Sequence, residues 1–384
     1  MKKTRILYFG SKTNIPGFSD HSPGQKSAPN KIKHVPGPKN AFKNIFFFIF
    51  CKKTKNPYNI WISEIILQQT RMEQGIYYYN RFISKFPDLE SLATSDEKDV
   101  LLLWQGLGYY SRARNLHHTA KHIYYHLDSK FPESYDELIN LKGIGDYTAS
   151  AISSICFEKK HPVLDGNVFR IISRIFGIKE PIDLNNSRKV FKKKAIDLLP
   201  KSRYGDYNQG LMDFGSIICK PKNPLCSACL ISKKCIANKN QLVDSLPVKA
   251  KKNKIKTLYF EYLIVNNNDQ ILIERIEDGI WKNLYQFPVH ISPSKKNKSE
   301  IRKFFKSKFD VETLDIKLIN DEYIEHKLSH MIIKSSFWFT KEKTDINGGL
   351  FTTILDDYPM SKLMHKFIEK YDSKFANSEV KLVN

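Results

Sequence analysis

What is missing from this chain comes first: no stretch is long and apolar enough to span a bilayer. The longest apolar run, Ile45 to Phe50, falls far short of the roughly 20 residues a membrane helix needs. The opening MKKTRILYFGSK is basic, but no apolar segment or small-residue cleavage site follows it, so a secretory leader is not expected. These absences predict a folded protein of the cytoplasm. Acidic residues are also scarce, 40 against 62 Lys and Arg, for a net charge of +22. A surplus of that sign suits a polyanionic partner, because cationic side chains displace counterions from phosphates. The surplus is mostly Lys, however, in company with much Asn, Ile, Phe and Tyr, and a base-biased coding sequence accounts for it equally well. Cysteine is limited to six residues, too few for a disulfide scaffold, and in a reducing compartment thiols stay free. Internal repeats are absent as well.

The residues that are present divide the chain. From Asn56 to about residue 240 the pattern is helical: Asn56 and Pro57 suit an N-cap and first helical position, and Ser134 with Glu137 forms a capping box. Val168, Ile171, Ile172 and Ile175 fall on one face. Cys156 lies alone on an apolar helix and reads as core. The basic stretch LPVKAKKNKIKT reads as a linker. Beyond it LYFEYLIV, QILIER, LYQFPV and MIIKSSFWF read as strands, with helices around 298–308 and 360–370. Residues 1–52 show no sustained period and are expected to be disordered or to arise from a frameshift or wrong start. The expected organisation is multidomain: an atypical segment 1–52, an all-α domain 53–245, a linker 246–256 and an α+β domain 257–376.

Three motifs carry chemistry. LKGIGDYTASAI, residues 141–152, places Gly143 and Gly145 around one apolar residue, with Asp146 able to cap the next helix. This is a helix-hairpin-helix, whose glycines let backbone amides approach a phosphate; an ordinary Gly-rich turn is the alternative. HPVLDGNVFRIISR, residues 161–174, puts Asp165 directly before a helix, where an aspartate is most often an N-cap. Cys219, Cys226, Cys229 and Cys235 follow the spacing C-x6-C-x2-C-x5-C, which suits either four-thiolate zinc or an iron–sulfur cluster.

Together these motifs resemble the endonuclease III superfamily of DNA glycosylases, from Lys52 to about Ala237. The resemblance implies a helix-hairpin-helix glycosylase domain of two helical subdomains, with the four cysteines holding a 4Fe-4S cluster. Lyase members carry a nucleophilic lysine where this chain has Tyr147, and a phenol cannot form a Schiff base. Base removal without strand cleavage is therefore expected. WISEIILQQT, residues 61–70, and QGLGYYSRARNLH, residues 105–117, are similar to the MutY adenine DNA glycosylases.

That family implies Glu64 as the acid that protonates adenine and Asp165 as the group that stabilises the cationic sugar, with Tyr147 and Asn167 positioning them. A helix starting near Pro57 puts Glu64 on a face with Ile60, Trp61, Leu67 and Gln68, where desolvation favours the neutral acid. Gln69, Thr70 and Tyr109 match residues at the DNA; Gln69 fills the gap left by the extruded base and Tyr109 wedges into the stack. Gly143 and Gly145 grip the backbone. Gln209, in YNQGLMDFG, is the matched base-reading candidate. The implied partner is double-stranded DNA containing A:8-oxoguanine or A:G mispairs, bound by a monomer without a membrane.

GIWKNLYQFPV and HKLSH, residues 279–289 and 326–330, resemble the family's Nudix-like C-terminal domain. There Ser329 is the counterpart of a serine that contacts 8-oxoguanine, and Leu328 stands where many members have Phe. No acidic Nudix helix follows Pro288; SEIRKFFKSKF is basic, which implies recognition without hydrolase activity. A Leu-Pro-Trp-Arg segment usual before the Asn56-Pro57 stretch is missing, Cys51 and Lys52 standing at its last two positions. Two alternatives accompany the expected glycosylase: a mispair-binding protein with impaired catalysis, and an endonuclease III-like lyase, against which Tyr147 argues.

Overall fold

Among the described residues the first helix opens on Asn56 as a side-chain cap: its Oδ1 accepts the Tyr58 and Asn59 amides at 2.9 and 3.4 Å, and Pro57 takes the first helical position. That pairing satisfies donors a helix start leaves unmade. The computed structural model describes residues 54–250, 255–341 and 349–376. The atypical segment 1–52, part of the expected linker and residues 377–384 lie outside the described residues.

The helical part contains α1 (Pro57–Leu67), α2 (Met72–Lys85), α3 (Leu89–Ala93), α4 (Glu97–Trp104), α5 (Ser111–His126), α6 (Tyr135–Ile139), α7 (Asp146–Phe157), α8 (Gly166–Phe176), α9 (Asn185–Asp197), α10 (Tyr204–Ile217) and α11 (Ile236–Lys239). The Ser134–Glu137 capping box opens α6 as expected. Asp146 does not cap α7. Gly145 holds that position, and the Asp146 carboxylate instead takes the Tyr135 hydroxyl at 2.5 Å and Lys192 Nζ at 2.9 Å. Val168, Ile171 and Ile172 are buried, whereas Ile175 is only half-buried.

Two apolar clusters organise these helices. One joins α1 to α7 through Ile62, Ile66, Phe82, Leu92, Trp104 and Ile152. The other joins α7 to α10 through Ala151, Val163, Val168, Ile172, Phe191 and Met212. The charged groups of the candidate site collect where the two meet. Among the described residues, no helix is long and apolar enough to cross a membrane.

The sheet is mixed. Its strands are β1 (Lys256–Asn267), β2 (Gln270–Arg275), β3 (Tyr285–Gln286), β4 (Val289–Ser292), β5 (Lys317–Leu318), β6 (Ile324–Lys327), β7 (Met331–Lys341) and β8 (Leu350–Thr352). Long strands β1 and β7 run parallel in register from Lys256 opposite Met331 to Asn266 opposite Lys341, and the other pairings are antiparallel. Alternation sends Leu263 and Val265 against helix α12 (Lys298–Phe309), while Tyr262 and Ile264 pack on the side of helix α13 (Lys362–Ala376). Phe337 stacks on Phe367 with ring centroids 3.7 Å apart. LYQFPV does not form one strand: β3 ends at Gln286 and β4 starts at Val289, because Pro288 has no amide hydrogen for the ladder. The first apolar cluster continues from the helices into this sheet through Phe287, Phe337 and Met360.

Candidate active site

Glu64 sits one turn from the end of α1, and Tyr147 one residue into α7, the helix of the hairpin. The Tyr147 hydroxyl donates to Glu64 Oε2 at 2.6 Å and lies 3.3 Å from Met212 Sδ of α10. Burial pushes the Glu64 carboxyl up to about 7; the hydrogen bond from Tyr147 opposes that rise and the Asp165 charge adds to it. Burial, then the two carboxylates, drive the Tyr147 phenol well above its usual range. A phenol so disfavoured as an anion remains a donor.

Asp165 does act as an N-cap, and it does more. Its Oδ1 accepts the Val168 amide at 2.7 Å and its Oδ2 accepts Asn167 Nδ2 at 2.7 Å. Burial still lifts its carboxyl above the usual carboxylate range, against the pull of those donors. The two carboxyls therefore differ in support: Asp165 has two strong donors, Glu64 one hydroxyl. Of the pair, Glu64 is the better place for a proton.

Behind Asp165 runs a set of bonds no local motif announces. Asn167 Oδ1 accepts Arg170 Nη2 at 2.9 Å, and Arg170 also reaches the Gly215 and Cys219 carbonyls, each at 2.7 Å. Gly215 is required there. A Cβ added to it would stand 2.6 Å from Asn167 Cβ.

Gln69 and Tyr109 lie in the neighbouring loops. Both have left-handed backbone, φ 56° and 50°, a conformation that costs a non-glycine residue energy and persists only when neighbours fix it. Arg112 supplies that fixing. Its Nη1 donates to the Ile65, Ile66 and Gln68 carbonyls at 2.8, 3.1 and 2.6 Å, and its Nη2 to the Gly108 carbonyl at 3.1 Å. It thus holds the peptides immediately before Gln69 and before Tyr109. Gln69 and Tyr109 themselves are exposed. Thr70 is half-buried, its hydroxyl donating back to the Gln68 carbonyl at 3.3 Å.

In the hairpin, Gly143 has φ 82°, and a Cβ there would meet Asn115 Cβ at 2.6 Å, so the turn admits only glycine. Gly145 is exposed at the start of α7. Gln209 is on α10, one turn before Met212, its Nε2 donating to Asp213 Oδ1 at 3.2 Å. Ser329 stands apart from this cluster, exposed in the turn between β6 and β7. Sequence reading missed Met212, Arg112 and Arg170. All three stood inside quoted motifs, at positions where an arginine or a methionine carries no signal of its partner.

Cys219, Cys226, Cys229 and Cys235 are free thiols lining one pocket, whose other walls include Ile171, Ile175, Phe214 and Leu225. Arg174 Nη1 donates to Cys219 Sγ at 3.4 Å. Burial pushes the Cys226 thiol up, and the other three sulfurs add to it. Mutual repulsion among four thiolates, in apolar walls, is relieved by a metal centre, so the donor set fits one. Among the described residues, no three His, Cys, Asp or Glu side chains are drawn together at metal-binding separations. Cys156 is half-buried, its thiol pushed to about 12 by burial, as suits a core residue.

Residues 62–196 match the HhH-GPD superfamily base excision DNA repair protein family. The chain is 43% identical over 241 residues to the adenine DNA glycosylase of Buchnera aphidicola subsp. Schizaphis graminum, covering 62% of this chain and 69% of that one. It is 36% identical over 312 residues to the adenine DNA glycosylase of Buchnera aphidicola subsp. Baizongia pistaciae, covering 78% and 84%. With the Arabidopsis thaliana adenine DNA glycosylase it shares 36% over 272 residues, covering 62% and 43%. The chain belongs to the adenine DNA glycosylases.

Proposed function

We propose that this adenine DNA glycosylase of base excision repair removes adenine mispaired with 8-oxoguanine or guanine by hydrolysing the N-glycosidic bond, with residues 53–245 as its catalytic domain. The observation that carries the assignment is the Glu64 carboxyl, held near 7 beside Asp165 and hydrogen-bonded by Tyr147. Adenine is a poor anionic leaving group, and its departure leaves a cationic sugar. Neutral Glu64 donates its proton to adenine as the bond to C1′ breaks and its electron pair leaves with the base. Asp165, whose carboxylate form accepts the Val168 amide and Asn167 Nδ2, faces the resulting positive charge. Glu64, now a carboxylate, takes a proton from the water that attacks C1′, which restores the starting state. Tyr147 orients Glu64 throughout, and Asn167 orients Asp165.

The base must first leave the stack, at a cost of a few kcal/mol that is least at a mispair. Gln69 and Tyr109 occupy the vacated space, Thr70 supports the turn, Gly143 and Gly145 hold the phosphate backbone, and Gln209 reads the base. Cys219, Cys226, Cys229 and Cys235 would hold a 4Fe-4S cluster, which when bound fixes the loop carrying Lys220, Lys222, Lys233 and Lys234 for contact with phosphates. Residues 257–376 form a Nudix-like recognition domain in which Ser329 reads 8-oxoguanine. The protein acts as a monomer in the cytoplasm.

Release of free adenine from a duplex with A opposite 8-oxoguanine, with Glu64→Gln as control, tests the reaction. A folded sample that releases none overturns it. Borohydride trapping of the protein on DNA would point instead to lyase chemistry. Iron analysis with visible absorption separates the cluster from zinc.

A further inference from the structure

The loop from Gln105 to Tyr110 has three left-handed residues in close succession: Gly106, Gly108 and Tyr109, with φ 92°, 75° and 50°. Glycines at two of those positions leave such a loop many alternative conformations in isolation. Part of what holds it comes from the sheet-bearing part of the chain. Gln105 Oε1 accepts the Met360 amide at 3.0 Å, and the Tyr110 hydroxyl donates to the Met360 carbonyl at 3.1 Å. Two side chains flanking the loop thus close on both polar groups of one residue.

The grip extends in both directions. The Tyr110 hydroxyl also accepts the Gly106 amide at 3.4 Å, and the Tyr78 hydroxyl donates to the Gln105 carbonyl at 2.6 Å. Met360 is fixed from its own side, bridged to Tyr285 of β3 and placed just before α13. Met360 and Tyr110 are 1% and 2% exposed. A partner lost there leaves a buried polar group with no water to replace it.

We propose that the Met360 peptide is a clamp through which the sheet-bearing part sets the conformation of the Tyr109 loop, with Gln105 and Tyr110 as positioning residues. The clamp rests on the reading of Tyr109 as the wedge that enters DNA. Its effect is preorganisation: the loop meets the duplex already in the shape that places Tyr109, and the cost of ordering it is met on folding.

Tyr110→Phe removes one hydroxyl and keeps the ring. Gln105→Met removes the acceptor, and Gln105→Glu restores one. In the full-length protein without DNA, amide hydrogen exchange across residues 105–110 should quicken roughly five-fold in Tyr110→Phe and Gln105→Met, and stay at the parent rate in Gln105→Glu. Unchanged exchange in both folded loss variants overturns the clamp. With a duplex holding A opposite 8-oxoguanine and enzyme in excess, adenine release should slow about three- to ten-fold. Adding Tyr110→Phe to Tyr109→Ala should slow it no further, since the clamp acts through that side chain. Fully additive losses overturn the proposal. A parent chain that releases no adenine defeats the proposed function, while the exchange comparison still decides the clamp.

Discussion

Glu64 in the helical part and Glu261 in the sheet are both withdrawn from water, and they are held differently. Glu261 lies on β1, 1% exposed, where its Oε2 accepts Trp338 Nε1 of β7 at 2.9 Å. Donor and acceptor sit on adjacent paired strands within one apolar layer. Glu64 lies at the seam between two clusters, where its partner Tyr147 comes from another helix and a second carboxyl, Asp165, faces it. A buried carboxyl alone therefore marks no reaction centre. A buried carboxyl with a competing charge beside it is what the proposed acid and base roles require, because two unlike environments favour the proton on one group over the other.

The largest expected effect breaks this pair apart. Glu64→Gln should cut adenine release by about 10²- to 10⁴-fold, the usual worth of a positioned proton donor. Glu261→Leu should leave release unchanged and lower stability by about 1–3 kcal/mol, the cost of leaving the Trp338 indole unpaired. Single-turnover assays and thermal melts on both variants decide it. If a folded Glu261→Leu releases no adenine, or Glu64→Gln stays active, the contrast fails. The pH dependence sharpens it further. Glu64 is raised from 4.5 to about 7, so its neutral form is favoured in the folded state. Its contribution to stability is whole below pH 4.5 and is lost as pH rises through 7. Glu64→Gln should accordingly gain on the parent across that window, by up to about 3 kcal/mol, and gain nothing more above it. Adenine release by the parent should fall as pH rises past 7.

Two glycines extend the comparison at intermediate size. A Cβ at Gly215 would meet Asn167 Cβ at 2.6 Å, and one at Gly349 would meet Leu272 Cδ1 at 2.7 Å. Either alanine should cost about 1–3 kcal/mol by overpacking. Gly349, at φ 119°, carries backbone strain in addition. Only Gly215→Ala should also slow adenine release, since the residue it displaces holds Asp165. Equal melting losses with equal rates would show that the Asn167 position does not matter to the reaction.

Legibility in the sequence followed the range of the interaction. Asn56–Pro57, the Ser134–Glu137 box and the Asp165 cap each depend on residues within a turn of one another, and each was readable. Asp146 failed by one position, because Gly145 caps by conformation and leaves the carboxylate free for Lys192. Arg170 reaches the Cys219 carbonyl 49 positions away and Arg112 the Ile65 carbonyl 47 away. Bonds to backbone carbonyls impose no partner residue type, so they leave no pattern to read. The parallel pairing of β1 with β7 is hidden for a similar reason: alternation predicts each strand but not its neighbour.

The smallest expected effect lies in the sheet, at Ser329. The turn of Leu328, Ser329 and His330 is closed by the Leu328 amide on the Met331 carbonyl at 2.8 Å, which leaves the exposed Ser329 hydroxyl only a 3.4 Å contact with His330 Nδ1. A hydroxyl so lightly engaged can turn to a ligand at little cost. If it reads 8-oxoguanine, Ser329→Ala should lose one hydrogen bond, about 0.5–1.5 kcal/mol, or at most roughly a ten-fold drop in preference for 8-oxoguanine over guanine opposite adenine. Release from an A:G duplex should not change, because guanine lacks the group being read. A fall on both duplexes would make the turn a general DNA contact, and the sheet would then contribute the Met360 clamp to catalysis without contributing lesion choice through Ser329.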